Sequence, residues 1–122
     1  MTRGTASFVV EDEHTAIAIR SGDVPVLATP WLIALCERAT VAAAAGMLAP
    51  DETTVGVRID IEHLAATPPG ATVTATAEIV TIDDARLVFS VTAHQGTNLI
   101  GRGTIVRTRV NRKRFLARVK QP

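Results

Sequence analysis

Thr29, Glu37 and His63 are the residues of this 122-residue chain whose types and settings best suit acid–base chemistry. Glu37 lies in a run, WLIALCERATVAAAAGML, that is apolar almost throughout, and its row at four-residue spacing reads Ile33, Glu37, Val41, with Ala44 beside it. Enclosing an unpaired carboxylate costs on the order of several kcal/mol, so such a group is normally partnered or used in chemistry. The plainer alternative makes Glu37 and Arg38 a narrow wet edge of the helix. His63 shares the parity of Val55, Val57, Ile59 and Ile61 and is expected to point at the same helix. A lone histidine on an apolar face is commonly a satisfied core residue, but a carboxylate on the facing element can orient and raise an imidazole for proton transfer. Thr29 sits where a helix N-cap belongs, which would put a hydroxyl and free backbone N–H groups at the positive end of the helix dipole. That setting suits an oxyanion as well as simple capping.

The elements that must hold these groups are legible from periodicity. Ser7 to Val10 and Thr15 to Ile19 read as short extended pieces, and Ser21-Gly22-Asp23-Val24-Pro25 as a turn. A buried helix follows, with Pro30 at its first position and Gly46 or Ala49-Pro50 as its stop. From Val55 the period becomes two, and further extended runs span Ala71 to Ile82, Arg86 to His94 and Leu99 to Val110. The breaks at Asp83-Asp84 and Gln95-Gly96-Thr97-Asn98 suit hairpins, and Thr67-Pro68-Pro69-Gly70 is a stiff loop that cannot lie inside a sheet. The expected fold is therefore α+β, one long central helix wrapped by a curved antiparallel sheet, in a single domain spanning 1–122. The helix is so uniformly apolar that a second subunit is expected to cover part of it, with the small residues Ala42 to Ala45 permitting close approach.

Composition narrows the chemistry. One cysteine, Cys36, makes neither a disulfide nor a zinc site by itself, and beside Glu37 it reads as a small core residue with a blunted thiol. No metal or resident cofactor is expected. His14 and His94 read as solvent-facing. Three Phe, one Trp and no Tyr argue against a stacking platform for nucleic acid, and no apolar run has the length to cross a bilayer. With no signal-type stretch at its start, the chain is expected to be cytoplasmic. Residues 85–122 hold nine of the thirteen Lys and Arg residues and no Asp or Glu. Such a tail favours an anionic partner, and Arg112 and Arg114 are candidates to meet phosphates.

Glu62-His63-Leu64-Ala65-Ala66-Thr67-Pro68-Pro69-Gly70, running into TVTATAEI, resembles the fluoroacetyl-CoA thioesterase family of the hot-dog superfamily. Ala28-Thr29 with Glu37 eight residues on, the strand ending SVTAH, and Gly101-Arg102-Gly103-Thr104 with Arg107 add to the match, which runs from Phe8 to Val119. The resemblance implies a hot-dog fold paired into a homodimer with active sites at the interface. It implies Thr29, Glu37 and His63 as the catalytic set, and Gly56 and Arg107 as lining the acyl pocket. Trp31 replaces a Phe of the family and is a further candidate for substrate contact. The connection from Val10 to Thr29 reads as shorter than the family's and has no Phe-containing lid, so selectivity for fluoroacetate does not carry over.

The function implied is hydrolysis of an acyl-coenzyme A, with coenzyme A present only as part of the substrate. Glu37 would act either as nucleophile or as a base activating water, and His63 would carry the proton. Two rivals use the same fold: a non-catalytic acyl-CoA-binding regulator, disfavoured by the lack of a separate nucleic-acid-binding helix, and an acyl-CoA hydratase or dehydratase.

Overall fold

The structure is a computed structural model and describes residues 2–120. Strand β1 (Arg3–Val9) leads through a 3-10 turn (Asp12–His14) and one helical turn, α1 (Ala16–Ile19), to the long helix α2 (Thr29–Ala44). After a second 3-10 turn (Ala45–Met47) come β2 (Glu52–His63), β3 (Thr72–Asp83), β4 (Arg86–Gln95), β5 (Asn98–Asn111) and helix α3 (Arg112–Val119). All neighbours in the sheet are antiparallel, in the order β1-β3-β4-β5-β2.

The sheet curls round α2, whose inner face of Leu32, Leu35, Cys36, Ala39, Ala43 and Ala44 meets Val73, Ala75, Ala77, Leu87, Phe89 and Val91. Alternation along β3 and β4 supplies this inner face, with small alanines on β3 where the helix lies close. The nearest approach is on β1. A Cβ at Gly4 would collide with the backbone of α2 at Ala39, 2.6 Å from its carbonyl oxygen, and at Ala43. Part of the alanine-rich end of α2 is thus used within the chain. Ala43 and Ala44 are buried, and only Ala42 and Ala45 of that run stay exposed.

Several local expectations change. Thr15 to Ile19 is not extended, because the Thr15 hydroxyl accepts from the Ala18 N–H and caps a helical turn that ends at Arg20 in the left-handed region, φ 61°. The N-cap of α2 is Ala28 rather than Thr29, which is the first helical residue. The basic end is helical: Asn111 caps α3 by accepting from the Arg114 N–H. A separate short helix therefore exists where the sequence shows only a tail.

The other change lies in β2. Pairing with β5 shifts between Gly56, opposite Arg107, and Arg58, opposite Val106, leaving Val57 as a bulge. Val57 and Ile59 are 52% and 38% exposed, so the regular apolar face expected from Val55 to His63 is interrupted. Gly56 and His63 are seven residues apart and would face opposite ways on a regular strand. The bulge turns both toward α2.

Candidate active site

At the start of α2, Thr29 Oγ1 lies 2.7 Å from His63 Nδ1 at the end of β2. The hydroxyl is not spent on capping, since Ala28 occupies that position. Two contacts fix the entry to the helix: the Ala28 N–H donates to the His14 carbonyl at 2.8 Å, and the Leu27 N–H to the Thr67 carbonyl at 2.8 Å. Thr67, at the head of the stiff Pro68-Pro69 segment, thereby anchors Leu27 just ahead of the Ala28 cap. Of the first three helical residues, Pro30 has no N–H and the Trp31 N–H is bonded to the Ala28 carbonyl. The Thr29 N–H is left as the first-turn donor for an oxyanion, fewer than the several expected.

Burial holds the His63 imidazole below its usual 6.5, opposed by the Ala65 backbone, so the ring is neutral near pH 7. Its Nε2 is enclosed and has no partner among the described residues. The pair opens onto a solvent-accessible cleft of about 360 Å³ walled mostly by Ala16, Val24, Val26, Leu27 and Leu64.

Glu37 is two turns further along α2, about 12 Å of helix axis from Thr29. Its expected partner was His63, but within the chain it meets Arg107, whose Nη1 lies 3.3 Å from Glu37 Oε2. Arg107 is buried and held from three sides, since Nε donates to Thr54 Oγ1 at 2.8 Å and Nη2 to the Thr54 carbonyl at 3.1 Å. Burial lowers its pKa, opposed by the Glu37 charge, yet a guanidinium remains charged across the working range. Gly56 closes this group, because a Cβ there would sit 2.7 Å from Glu37 Oε2 and displace the carboxylate. The Glu37 side chain is 37% exposed on the side of α2 that the sheet leaves uncovered, beside Val41 at 50%.

The candidates therefore form two groups, Thr29 with His63 and Glu37 with Arg107 and Gly56. Arg112, on α3, lines a hollow with Thr53, Thr54 and Val55, and Arg114 is exposed. Trp31 packs edge-on against His14 and near Phe8, ring centroids 4.5 and 6.2 Å away, and is not among the described residues lining the cleft. His14 is accordingly not solvent-facing: it is half-buried in this aromatic group, its Nδ1 accepting from the Glu11 N–H at 2.8 Å. Thr54 was missed in the sequence, where one more threonine in a threonine-rich strand carries no signal. Cys36 is a buried core thiol as expected, pushed up to about 11 by burial and by Glu37. Among the described residues, no three His, Cys, Asp or Glu side chains gather as a metal site, and no helix is long and apolar enough to cross a membrane.

A curled antiparallel sheet around one long helix is the fold of the hot-dog thioesterases. Residues 10–113 match the profile of the fluoroacetyl-CoA-specific thioesterase family. The chain is 44% identical over 96 residues to the fluoroacetyl-CoA thioesterase of Streptantibioticus cattleyicolor, covering 79% of this chain and 69% of that protein. A crystal structure of a Phe-to-Ala variant of the fluoroacetyl-CoA-specific thioesterase FlK, in complex with fluoroacetate and CoA, superimposes with a TM-score of 0.86 at 38% identity, covering 93% of this chain and 95% of that one. A thioesterase superfamily member from Thermus thermophilus gives a TM-score of 0.90 at 26% identity, with coverage of 98% and 88%. The chain belongs to the fluoroacetyl-CoA-specific thioesterase family and is a thioester hydrolase.

Proposed function

We propose that the protein is a cytoplasmic homodimer that hydrolyses an acyl-coenzyme A to the free acid and coenzyme A, using Thr29, His63 and Glu37. The observation that carries this reading is the 2.7 Å contact between the Thr29 hydroxyl and His63 at the start of α2, open to a cleft. A thioester carbonyl placed there has the Thr29 N–H, the Thr29 hydroxyl and the positive helix end around its oxygen. His63, neutral with one nitrogen unpartnered, can relay a proton to the departing thiolate.

Glu37 is too far along the helix to reach the same carbonyl from the same chain. The uncovered strip carrying Glu37 and Val41, and the exposed Val57 and Ile59 of the edge strand β2, suit the approach of a second copy. In that arrangement the Glu37 carboxylate of one copy serves the Thr29–His63 pair of the other. It attacks the carbonyl to give a transient anhydride, or it activates water. Arg107 holds it by an ion pair at 3.3 Å, and Gly56 leaves it room.

The test is thiol release from acyl-CoAs followed with a thiol-trapping dye. Folded Glu37→Gln and His63→Ala should each lose about a hundredfold or more in turnover, the scale of positioned acid–base groups. Thr29→Ala should be milder if the hydroxyl only orients substrate. Parent-rate hydrolysis by both folded variants would remove the catalytic assignment. The regulator reading gains a candidate surface in α3, but it predicts binding without turnover in the parent protein.

A further inference from the structure

The cleft beside Thr29 and His63 is larger and more apolar than a two-carbon acyl group requires. Its volume of about 360 Å³ has room for on the order of ten non-hydrogen atoms at ~30 Å³ each. An acetyl group has three. Its walls are mostly Ala16, Gly22, Val24, Val26, Leu27 and Leu64, Ser21 and Thr29 add hydroxyls, and apart from the neutral His63 ring no titratable side chain among the described residues lines it. The small residues keep it open: a Cβ on Gly22 would already come within 3.3 Å of the Ala16 Cβ.

The wall is also fixed in place. The Ala16 N–H donates to the Val26 carbonyl at 2.8 Å, the Ile17 N–H to the Val24 carbonyl at 3.2 Å, and the Ser21 N–H to the Ala16 carbonyl at 3.0 Å. The segment Ser21–Val26 is thus tied back onto α1. No aromatic residue lies between Val10 and Trp31 except His14, which is stacked away against Phe8 and Trp31. Nothing bulky enters the cleft from this segment.

We propose that this cleft takes the acyl chain beyond the carbonyl and that it selects uncharged aliphatic acyl groups of medium length, about six to eight carbons, over acetyl groups. The inference rests on the thioesterase reading and adds the substrate class. A chain leaving the carbonyl at Thr29 runs along Leu27, Val26 and Val24. Burying each further methylene there raises kcat/KM by two- to fourfold until the cleft is filled.

The experiment measures kcat/KM for acetyl-, butanoyl-, hexanoyl-, octanoyl- and succinyl-CoA on the parent enzyme, on Val24→Asp and on Ala16→Leu. Val24 is half-exposed on a loop, so Val24→Asp is expected to fold even if the buried Ala16→Leu does not. The expected result is a rise of at least tenfold from acetyl to octanoyl in the parent, with poor succinyl hydrolysis. The octanoyl-to-acetyl ratio should fall at least fivefold in Val24→Asp. A flat or falling chain-length profile in the parent overturns the proposal. So does a Val24→Asp variant whose KM rises equally for every acyl group, because that result assigns the cleft to the pantetheine arm common to all of them. A parent enzyme that hydrolyses none of these thioesters overturns the thioesterase reading itself, a different failure from a wrong chain length.

Discussion

The contact between Thr29 and His63 couples a hydroxyl to a ring that burial keeps neutral. Protonation costs more in the enclosed site than in water, so His63 keeps its base form to lower pH than a free imidazole does. For an enzyme that needs neutral His63, the acid limb of kcat/KM falls below pH 6.5, and it is absent from the residual rate of His63→Gln. A limb centred above 6.5 would show that the carboxylate of a second copy reaches the ring closely enough to outweigh burial. Glu37 and His63 were legible from the pattern of the sequence, one as a charge in an apolar row and one as a ring on an alternating strand. Their direct contact was not, because parity says which face a residue takes but nothing about where it lies along the strand. Arg107, anchored by Thr54, occupies the place the sequence reading gave to His63.

Among the elements, the hairpins and α2 were legible because their signals are local: Pro30 near the helix start, Gly96 at φ 59° in the β4–β5 turn, and Pro68-Pro69 ahead of β3. The bulge at Val57 was not, since an extra residue leaves the alternation on either side looking regular. Gly4 was missed for a related reason, that close approach of two backbones is a tertiary fact. Gly4→Val should push β1 off α2 and cost about 1–3 kcal/mol, read as a lower denaturant midpoint in chemical unfolding. A variant as stable as the parent would mean that β1 can shift at little cost. The basic helix α3 borders a hollow lined by Thr53, Thr54 and Val55. Replacing Arg112 and Arg114 with alanine should raise KM for acyl-CoA more than it lowers kcat, with the difference shrinking at high salt, as for phosphate contacts at an exposed rim. If neither parameter changes, the α3 cations are only a solvated face.

For the whole molecule, two copies of the 12.9 kDa chain should sediment as a dimer at micromolar concentration. A shared site makes a sharper demand. Glu37→Gln and His63→Ala chains, each inactive alone, should regain about a quarter of the parent activity when unfolded and refolded together in equal amounts. With random two-fold pairing, half of the dimers are mixed and each mixed dimer has one intact site. A site contained within one chain would give no recovery. The wrapped helix could be read from the sequence, and the expectation of a second copy followed from its apolar sides. The chain's own sheet covers more of α2 than that reading allowed, leaving Glu37, Val41 and their neighbours as the uncovered strip.

The burial of Cys36 has a consequence for an enzyme whose product is itself a thiol. Released coenzyme A oxidises readily, and its disulfide exchanges with any accessible protein thiolate to leave a mixed disulfide on the protein. Cys36 is one residue from Glu37 but on the core side of α2, where such an adduct would break the packing, and it is fully enclosed and held at a pKa of about 11. Almost none of it is thiolate at neutral pH. Burial, with the neighbouring Glu37 charge adding to it, keeps this sulfur protonated, so turnover is shielded from covalent poisoning by its own oxidised product.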